Sequence, residues 1–139
     1  MKLPLIIAKK YRLRKTTVSL LLATLWFITT VVLLTLPGSD LPQENWLDQI
    51  YFDKWVHIGM FALLVFLWCW ALSKKNENSP RLKTFFLQIT IAAIAYGILM
   101  EFVQRNFIPG RSFDITDMIA DSVGAFVGFF FSSWRFIKK

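Results

Sequence analysis

Ionisable side chains interrupt three of the four long apolar runs in this 139-residue sequence. Asp53 and His57 are four residues apart in the second run, and Glu101 and Gln104 are three apart in the third. These spacings place each pair on one face of a helix. The acids of the fourth run are separated by steps of three and four residues and share a narrow arc; they are Asp114, Asp117 and Asp121. Because ionisable groups inside a membrane span are costly, these positions are candidates for a functional site.

Three basic residues accompany these acids. Arg111 follows Pro109-Gly110, a pair that suits the two central positions of a type II turn. That turn is expected to place Arg111 above the acids, where its guanidinium could hold a carboxylate in a bidentate pair. Arg105, beside Gln104, is expected among the groups that the acids face, together with Glu101 and His57. Lys54 is expected to extend its ammonium toward the lipid headgroups.

Simpler roles compete with a functional one. Asp114 could be the N-cap of the fourth helix, and Asp117 a favourable charge in its first turn. Asp121 lies nearly two turns inside, so it must be protonated, paired with an arginine or coordinating a ligand. Carboxylates suit hard divalent cations, but the sequence assigns neither a metal nor any other cofactor. If a metal binds, its candidate ligands are His57, Glu101, Asp117 and Asp121.

The elements that position these residues are predicted to be membrane helices. Hydrophobic residues make up 55% of the sequence and charged residues only 18%, which is too apolar for an ordinary soluble domain. Runs of about 20 apolar residues can cross a bilayer, and four occur, at 17–36, 54–72, 84–102 and 115–134. We therefore predict an all-α, polytopic membrane protein: a four-transmembrane-helix bundle forming a single domain over 1–139, in which the one cysteine, Cys69, is simply buried.

The loop after the first span has an amphipathic pattern. One side carries Trp46, Leu47, Ile50 and Tyr51, and the other carries polar residues. This pattern predicts a short helix lying on the outer surface of the membrane.

Small residues recur on the acidic face of the fourth helix. Ala120, Gly124 and Gly128 are four residues apart and include a GxxxG step, a pattern that lets membrane helices approach closely. The third helix, which offers Ala93 and Gly97, is the expected partner, so the acids should point into the bundle.

The basic residues give the predicted orientation. Thirteen of the sixteen lie in the first sixteen residues, in the loop after the second run or at the end of the chain. Lysine and arginine accumulate on the cytoplasmic side of membrane proteins, so both termini, including a basic tail over 1–16, are predicted to be cytoplasmic. The acids and a polar cleft would then face outward. The net charge of +7 is explained by this orientation, and no nucleic-acid partner is predicted.

The sequence motifs resemble the VanZ-like family of bacterial membrane proteins. The motifs are Asp53-Lys54-Trp55-Val56-His57, Glu101-Phe102-Val103-Gln104 and the stretch from Pro109 to Asp117, followed by Gly124 and Gly128. The resemblance covers about 53–128, and one position departs from it: Asp121 stands where asparagine is more usual. The family is associated with low-level resistance to the glycopeptide teicoplanin, and its signature positions carry over onto Asp53, Lys54, His57, Glu101, Gln104, Arg111, Asp114, Asp117, Gly124 and Gly128.

Four functions follow as hypotheses. The first, which the resemblance motivates, is a protein of the bacterial cytoplasmic membrane that binds a cell-wall or lipid-linked ligand, or an envelope protein, through the outer cleft. The second is a metal-dependent enzyme acting on a lipid headgroup, although the sequence has no HExxH or GxSxG motif. The third is a small proton-coupled transporter. This function is disfavoured because all the acids lie near one face of the membrane. The fourth is an assembly partner whose polar residues only fix helix packing. A homo-oligomer is compatible with each of them.

Overall fold

The structure, a computed structural model, describes residues 5–40, 51–75 and 80–137. Four helices account for most of these residues: α1 (Leu5–Leu34), α2 (Phe52–Lys75), α3 (Leu82–Phe107) and α4 (Ile115–Phe136), with a short 3-10 turn at Gly38–Asp40. Each contains an apolar stretch of at least 22 residues that is long enough to cross a membrane. The predicted all-helical fold with four spans is therefore confirmed. The amphipathic helix predicted around Trp46 lies outside the described residues.

The helices are longer than the apolar runs that predicted them. α1 begins at Leu5, so it extends through much of the basic tail before the predicted span. α3 continues to Phe107, past Glu101 and Gln104. Consequently, both polar residues of the third run lie within a helix and can be oriented by it.

The second helix is the centre of the bundle. α2 packs against α1, α3 and α4, and its contact with α4 is the most extensive. Phe61 and Val65 of α2 and Phe86 of α3 are completely buried in the apolar core. Cys69 is also buried and free, as predicted.

The small residues of α4 face α2, and not α3 as the sequence suggested. A Cβ atom on Gly124 would overlap the carbonyl oxygen of Ile58, and one on Gly128 would lie 2.5 Å from that of Ala62. The backbones of α2 and α4 therefore touch at these two positions. Gly97 does face α4, but the group it meets is the Asp121 side chain. The repeat of small residues indicates that another helix approaches α4 closely, but it would suit α2 and α3 equally well.

Polar contacts fasten α1 to the rest of the bundle. The indole Nε1 of Trp26 donates to the Met60 carbonyl at 3.1 Å, and the hydroxyls of Thr30 and Tyr96 are 3.1 Å apart. At the far end of α1, the Gln104 amide donates to the Leu34 carbonyl at 2.8 Å. These bonds satisfy polar groups within apolar helices, where water is absent.

The predicted turn between α3 and α4 is confirmed. Gly110 has φ +71°, and the Arg111 amide donates to the Ile108 carbonyl at 3.3 Å, as in a type II turn. The Gly38 amide donates to the Pro109 carbonyl at 3.0 Å. The loop after α1 and the loop before α4 thus meet at the end of the bundle that carries the acids.

Candidate functional site

Lys54 lies at the centre of a group of carboxylates where α2 meets α4. Its Nζ is 2.8 Å from Asp53, 2.7 Å from Asp114 and 2.5 Å from Asp117. An ammonium group has three N–H donors, so each donor has a carboxylate to meet. The sequence named Lys54 only as a candidate for the cleft whose ammonium extends toward the headgroups, and it assigned Lys54 no partner. The nearby acids of α4, which the sequence did not pair with Lys54, hold it in place.

A second pair lies deeper in the bundle. His57 Nδ1 is 2.8 Å from Asp121 Oδ1, and both side chains are almost completely buried. The other ring nitrogen of His57 is 3.9 Å from the Asp117 carboxylate, which Lys54 also contacts. Asp121 is paired, as its depth requires, but its partner is a histidine and not an arginine.

Glu101 connects α3 to the start of α4. Its side chain is buried, and its Oε2 accepts the backbone N–H of Asp114 at 2.8 Å. That N–H precedes the helix and would otherwise have no acceptor within it. Glu101 therefore fixes how the chain enters α4. Gln104 lies one turn further along the same face and is likewise buried.

Asp114 is the N-cap of α4, which is the simpler of the two roles that the sequence left open for it. Its extended backbone and its side chain, which accepts the Thr116 amide at 2.8 Å, are typical of this position. The Thr116 hydroxyl donates to the same oxygen at 2.6 Å, and the other oxygen faces Lys54. The Lys54 ammonium, with further help from the Thr116 donors, lowers the pKa of Asp114 from 3.8 to about 2. Asp114 is thus both a cap and a negatively charged member of the site.

We call this group the polar cluster; its members are Asp53, Lys54, His57, Glu101, Asp114, Asp117 and Asp121. Five members are acids and two are bases, so acceptors outnumber donors. The Asp53 and Asp114 side chains are 59% and 39% exposed, whereas that of Asp121 is only 3% exposed. The cluster therefore exposes carboxylate oxygens at the end of the bundle, while its basic residue His57 is buried deeper in the bundle.

Two predicted members lie outside the polar cluster. Arg105 is exposed and Arg111 is half-buried, and neither forms an ion pair with an acid in the described part of the chain. The bidentate pair predicted for Arg111 is therefore absent there. Lys54 occupies the place that Arg111 was expected to take, because α2 and not the turn supplies the cation.

The candidate metal ligands are already engaged with other side chains. His57 is paired with Asp121, and Asp117 with Lys54. Across residues 5–40, 51–75 and 80–137, no three side chains of His, Cys, Asp or Glu are arranged so that they could hold one metal ion.

The role of Gly97 beside Asp121 could not be predicted. A Cβ atom at position 97 would lie 2.7 Å from Asp121 Oδ2. Gly97 therefore leaves room for a buried carboxylate, whereas the sequence suggested only close helix packing. Thr116 was also not predicted, although a threonine two residues after an N-cap aspartate is a recognisable signal for a local hydrogen bond.

Comparison with known proteins agrees with the resemblance drawn from the motifs. A family model described as VanZ/LLP1 matches residues 7–137, a longer stretch than the motifs span. No curated protein and no solved structure matches the sequence.

Proposed function

The chain belongs to the VanZ-like family, and we propose that it is a membrane protein of the bacterial cell envelope whose polar cluster binds a lipid-linked cell-wall precursor at the outer face. Glycopeptide tolerance would be the cellular consequence of that binding. The proposal rests first on the way the cluster is built. Groups from α2, α3 and the start of α4 meet at one end of the bundle, where Lys54 contacts Asp114 and Asp117 and Glu101 accepts the Asp114 amide.

The chemistry of the cluster indicates what such a ligand would offer. The exposed carboxylate oxygens of Asp53 and Asp114 can accept hydrogen bonds. A lipid-linked wall precursor displays amide, hydroxyl and amine donors close to the membrane surface. Lys54 holds these carboxylates in fixed positions before a ligand arrives, which lowers the entropic cost of binding.

A competing interpretation is that the polar cluster only fixes helix packing in a protein that acts as an assembly partner. One observation favours it. Each N–H donor of Lys54 has a carboxylate partner, and the buried His57 and Asp121 satisfy each other. Buried ion networks of this kind can set a unique packing without binding anything.

The thermal stability of the purified full-length protein in detergent distinguishes these interpretations. The probe is the undecaprenyl-linked disaccharide-pentapeptide wall precursor, added to the wild type and to the Asp53→Asn and Asp117→Asn variants. A ligand at a hundred times its Kd stabilises the folded state by about 2.7 kcal/mol, which corresponds to a rise in Tm of roughly 5 °C or more. We expect this rise in the wild type, and we expect both variants to lose it.

Asp40→Asn is the matched control. Asp40 is an exposed acid at the same end of the bundle and belongs to the loop after α1, not to the polar cluster. This variant should keep the full response to the precursor. If the wild type shows no response, and Asp117→Asn merely has a lower Tm, the binding proposal is wrong and the packing interpretation stands.

A further inference from the structure

A second charged surface lies at the opposite end of the bundle from the polar cluster. It is a groove between α1 and α2 with a volume of about 330 Å³. We call it the basic groove; it is lined by Arg14, Lys15, Val18, Trp70 and Lys74. Three of these five residues are cationic, and none is acidic.

The antiparallel arrangement of α1 and α2 brings these cations to one level. Arg14 and Lys15 are in the first turn of the membrane-spanning part of α1, and Lys74 is in the last turn of α2. Both positions correspond to the headgroup region when the apolar stretches cross the bilayer. Trp70, one turn before Lys74, lies where tryptophan usually sits at a membrane interface.

Negative charge in the described residues is concentrated elsewhere. Every aspartate and glutamate within 5–40, 51–75 and 80–137 belongs to the polar cluster or to the loop after α1; they are Asp40, Asp53, Glu101, Asp114, Asp117 and Asp121. A concave surface lined by one sign of charge attracts and concentrates ions of the opposite sign. The groove is thus electrostatically suited to an anion.

We propose that the basic groove binds the phosphate headgroup of an anionic phospholipid. The Arg14 guanidinium can hold two phosphate oxygens at once, and Lys15 and Lys74 add point charges. Val18 and Trp70 supply apolar surface for the glycerol backbone and the upper part of an acyl chain. Basic pockets between membrane helices are suited to anionic headgroups, and the three lining cations disfavour a zwitterionic lipid that brings its own ammonium. The proposal does not depend on the function of the polar cluster.

Lipid binding to the full-length protein in detergent tests this proposal. Native mass spectrometry would measure the affinity for phosphatidylglycerol and for phosphatidylcholine with the same acyl chains. The test variant combines Arg14→Gln with Lys74→Gln. The matched control combines Lys83→Gln with Arg135→Gln, which removes the same charge from exposed positions on α3 and α4 at the same end of the bundle.

We expect the wild type to prefer phosphatidylglycerol. The test variant should bind it about thirtyfold more weakly, because each basic residue near the membrane surface strengthens binding about five- to sixfold. The control should retain most of the affinity. A charge-preserving variant that combines Arg14→Lys with Lys74→Arg should bind within a fewfold of the wild type, which separates lost charge from impaired folding.

Two results would overturn the proposal. Equal weakening in the test and control variants would mean that anionic lipid is attracted by the overall positive charge and not by the groove. Equal binding of phosphatidylglycerol and phosphatidylcholine by the wild type would mean that the groove does not recognise the headgroup charge.

Discussion

The Lys54 ammonium contacts three carboxylates at once, and one of them, Asp114, has its pKa lowered to about 2, chiefly by Lys54. Asp114 lies before the first residue of α4. A carboxylate whose pKa is lower in the folded than in the unfolded state stabilises the fold above its unfolded pKa. That stabilisation is lost as the pH falls toward the folded pKa.

Asp114→Asn tests this coupling. Asparagine caps a helix about as well as aspartate, so the substitution removes the negative charge and keeps a cap. The Asp114 side chain is 39% exposed, so the lost ion pair should lower the free energy of unfolding at neutral pH by no more than about 1 kcal/mol. The difference in Tm between wild type and variant should be constant above about pH 4, and should shrink between about pH 4 and about pH 2.

The measurement is a series of thermal unfolding curves in detergent from pH 2 to pH 7. Asp40→Asn, which removes an exposed acid outside the polar cluster, should differ little from the wild type at any pH. A difference for Asp114→Asn that stays constant down to pH 2 would show that Lys54 does not stabilise the ionised carboxylate.

For individual residues, the sequence predicts the geometry within one helix well and the ion pairs between helices poorly. The cap at Asp114 and the shared face of Asp53 and His57 follow from spacing alone, because both are set within one helix. Three cations could have formed ion pairs with the acids of the fourth run, and in the structure Lys54 does so while Arg105 and Arg111 do not. This pairing depends on the rotation of α2 against α4, which local spacing does not determine.

The α2–α4 interface is the element on which the polar cluster depends. Gly124 brings the two backbones together next to Ile58, one residue beyond His57. The same approach brings His57 within 2.8 Å of Asp121 and Lys54 within reach of Asp117. Small residues in α4 thus serve the cluster as well as the packing of the bundle.

Gly124→Ala should lower the stability of the protein. The new Cβ atom would overlap the Ile58 carbonyl oxygen, and a backbone atom cannot move aside as a flexible side chain can. The helices must separate, and such overpacking typically costs about 1–3 kcal/mol. We expect a clear fall in Tm for the purified protein.

Gly59→Ala is the control for this substitution. It adds the same methyl group to a helical glycine in α2, where a Cβ atom would have no neighbour within 4 Å. Its Tm should be unchanged or slightly higher, because alanine favours a helix over glycine by up to about 1 kcal/mol. Similar losses in the two variants would mean that close contact at Gly124 does not determine stability.

The four helices themselves were predictable because a bilayer imposes a length and an apolar composition on each span. Their partners were not. The GxxxG step indicated a close approach, but the sequence suggested α3 where the structure has α2. A helix face that suits close packing carries no signal for which neighbour occupies it.

In the described part of the molecule, the acidic residues and most of the basic residues lie at opposite ends. The polar cluster lies at one end and the basic groove at the other, with four apolar helices between them. Since basic residues remain on the cytoplasmic side, this separation predicts that the polar cluster faces outward and that both termini are cytoplasmic. A cell-wall ligand could reach the cluster only in this orientation.

Single cysteines at the two ends would reveal the orientation. Ser39 is exposed at the same end of the bundle as the polar cluster, and Pro80 is exposed just before α3 at the basic end. Ser39→Cys and Pro80→Cys each place one thiol outside the four long helices, in a chain whose buried native thiol is removed by Cys69→Ala. A membrane-impermeant maleimide added to intact bacterial cells should label Ser39→Cys, and should label Pro80→Cys only after the membrane is permeabilised. The reverse labelling pattern would place the polar cluster on the cytoplasmic side, out of reach of any wall ligand, and the proposed function would be wrong. The basic groove would then remain a candidate site for lipid, but in the opposite leaflet.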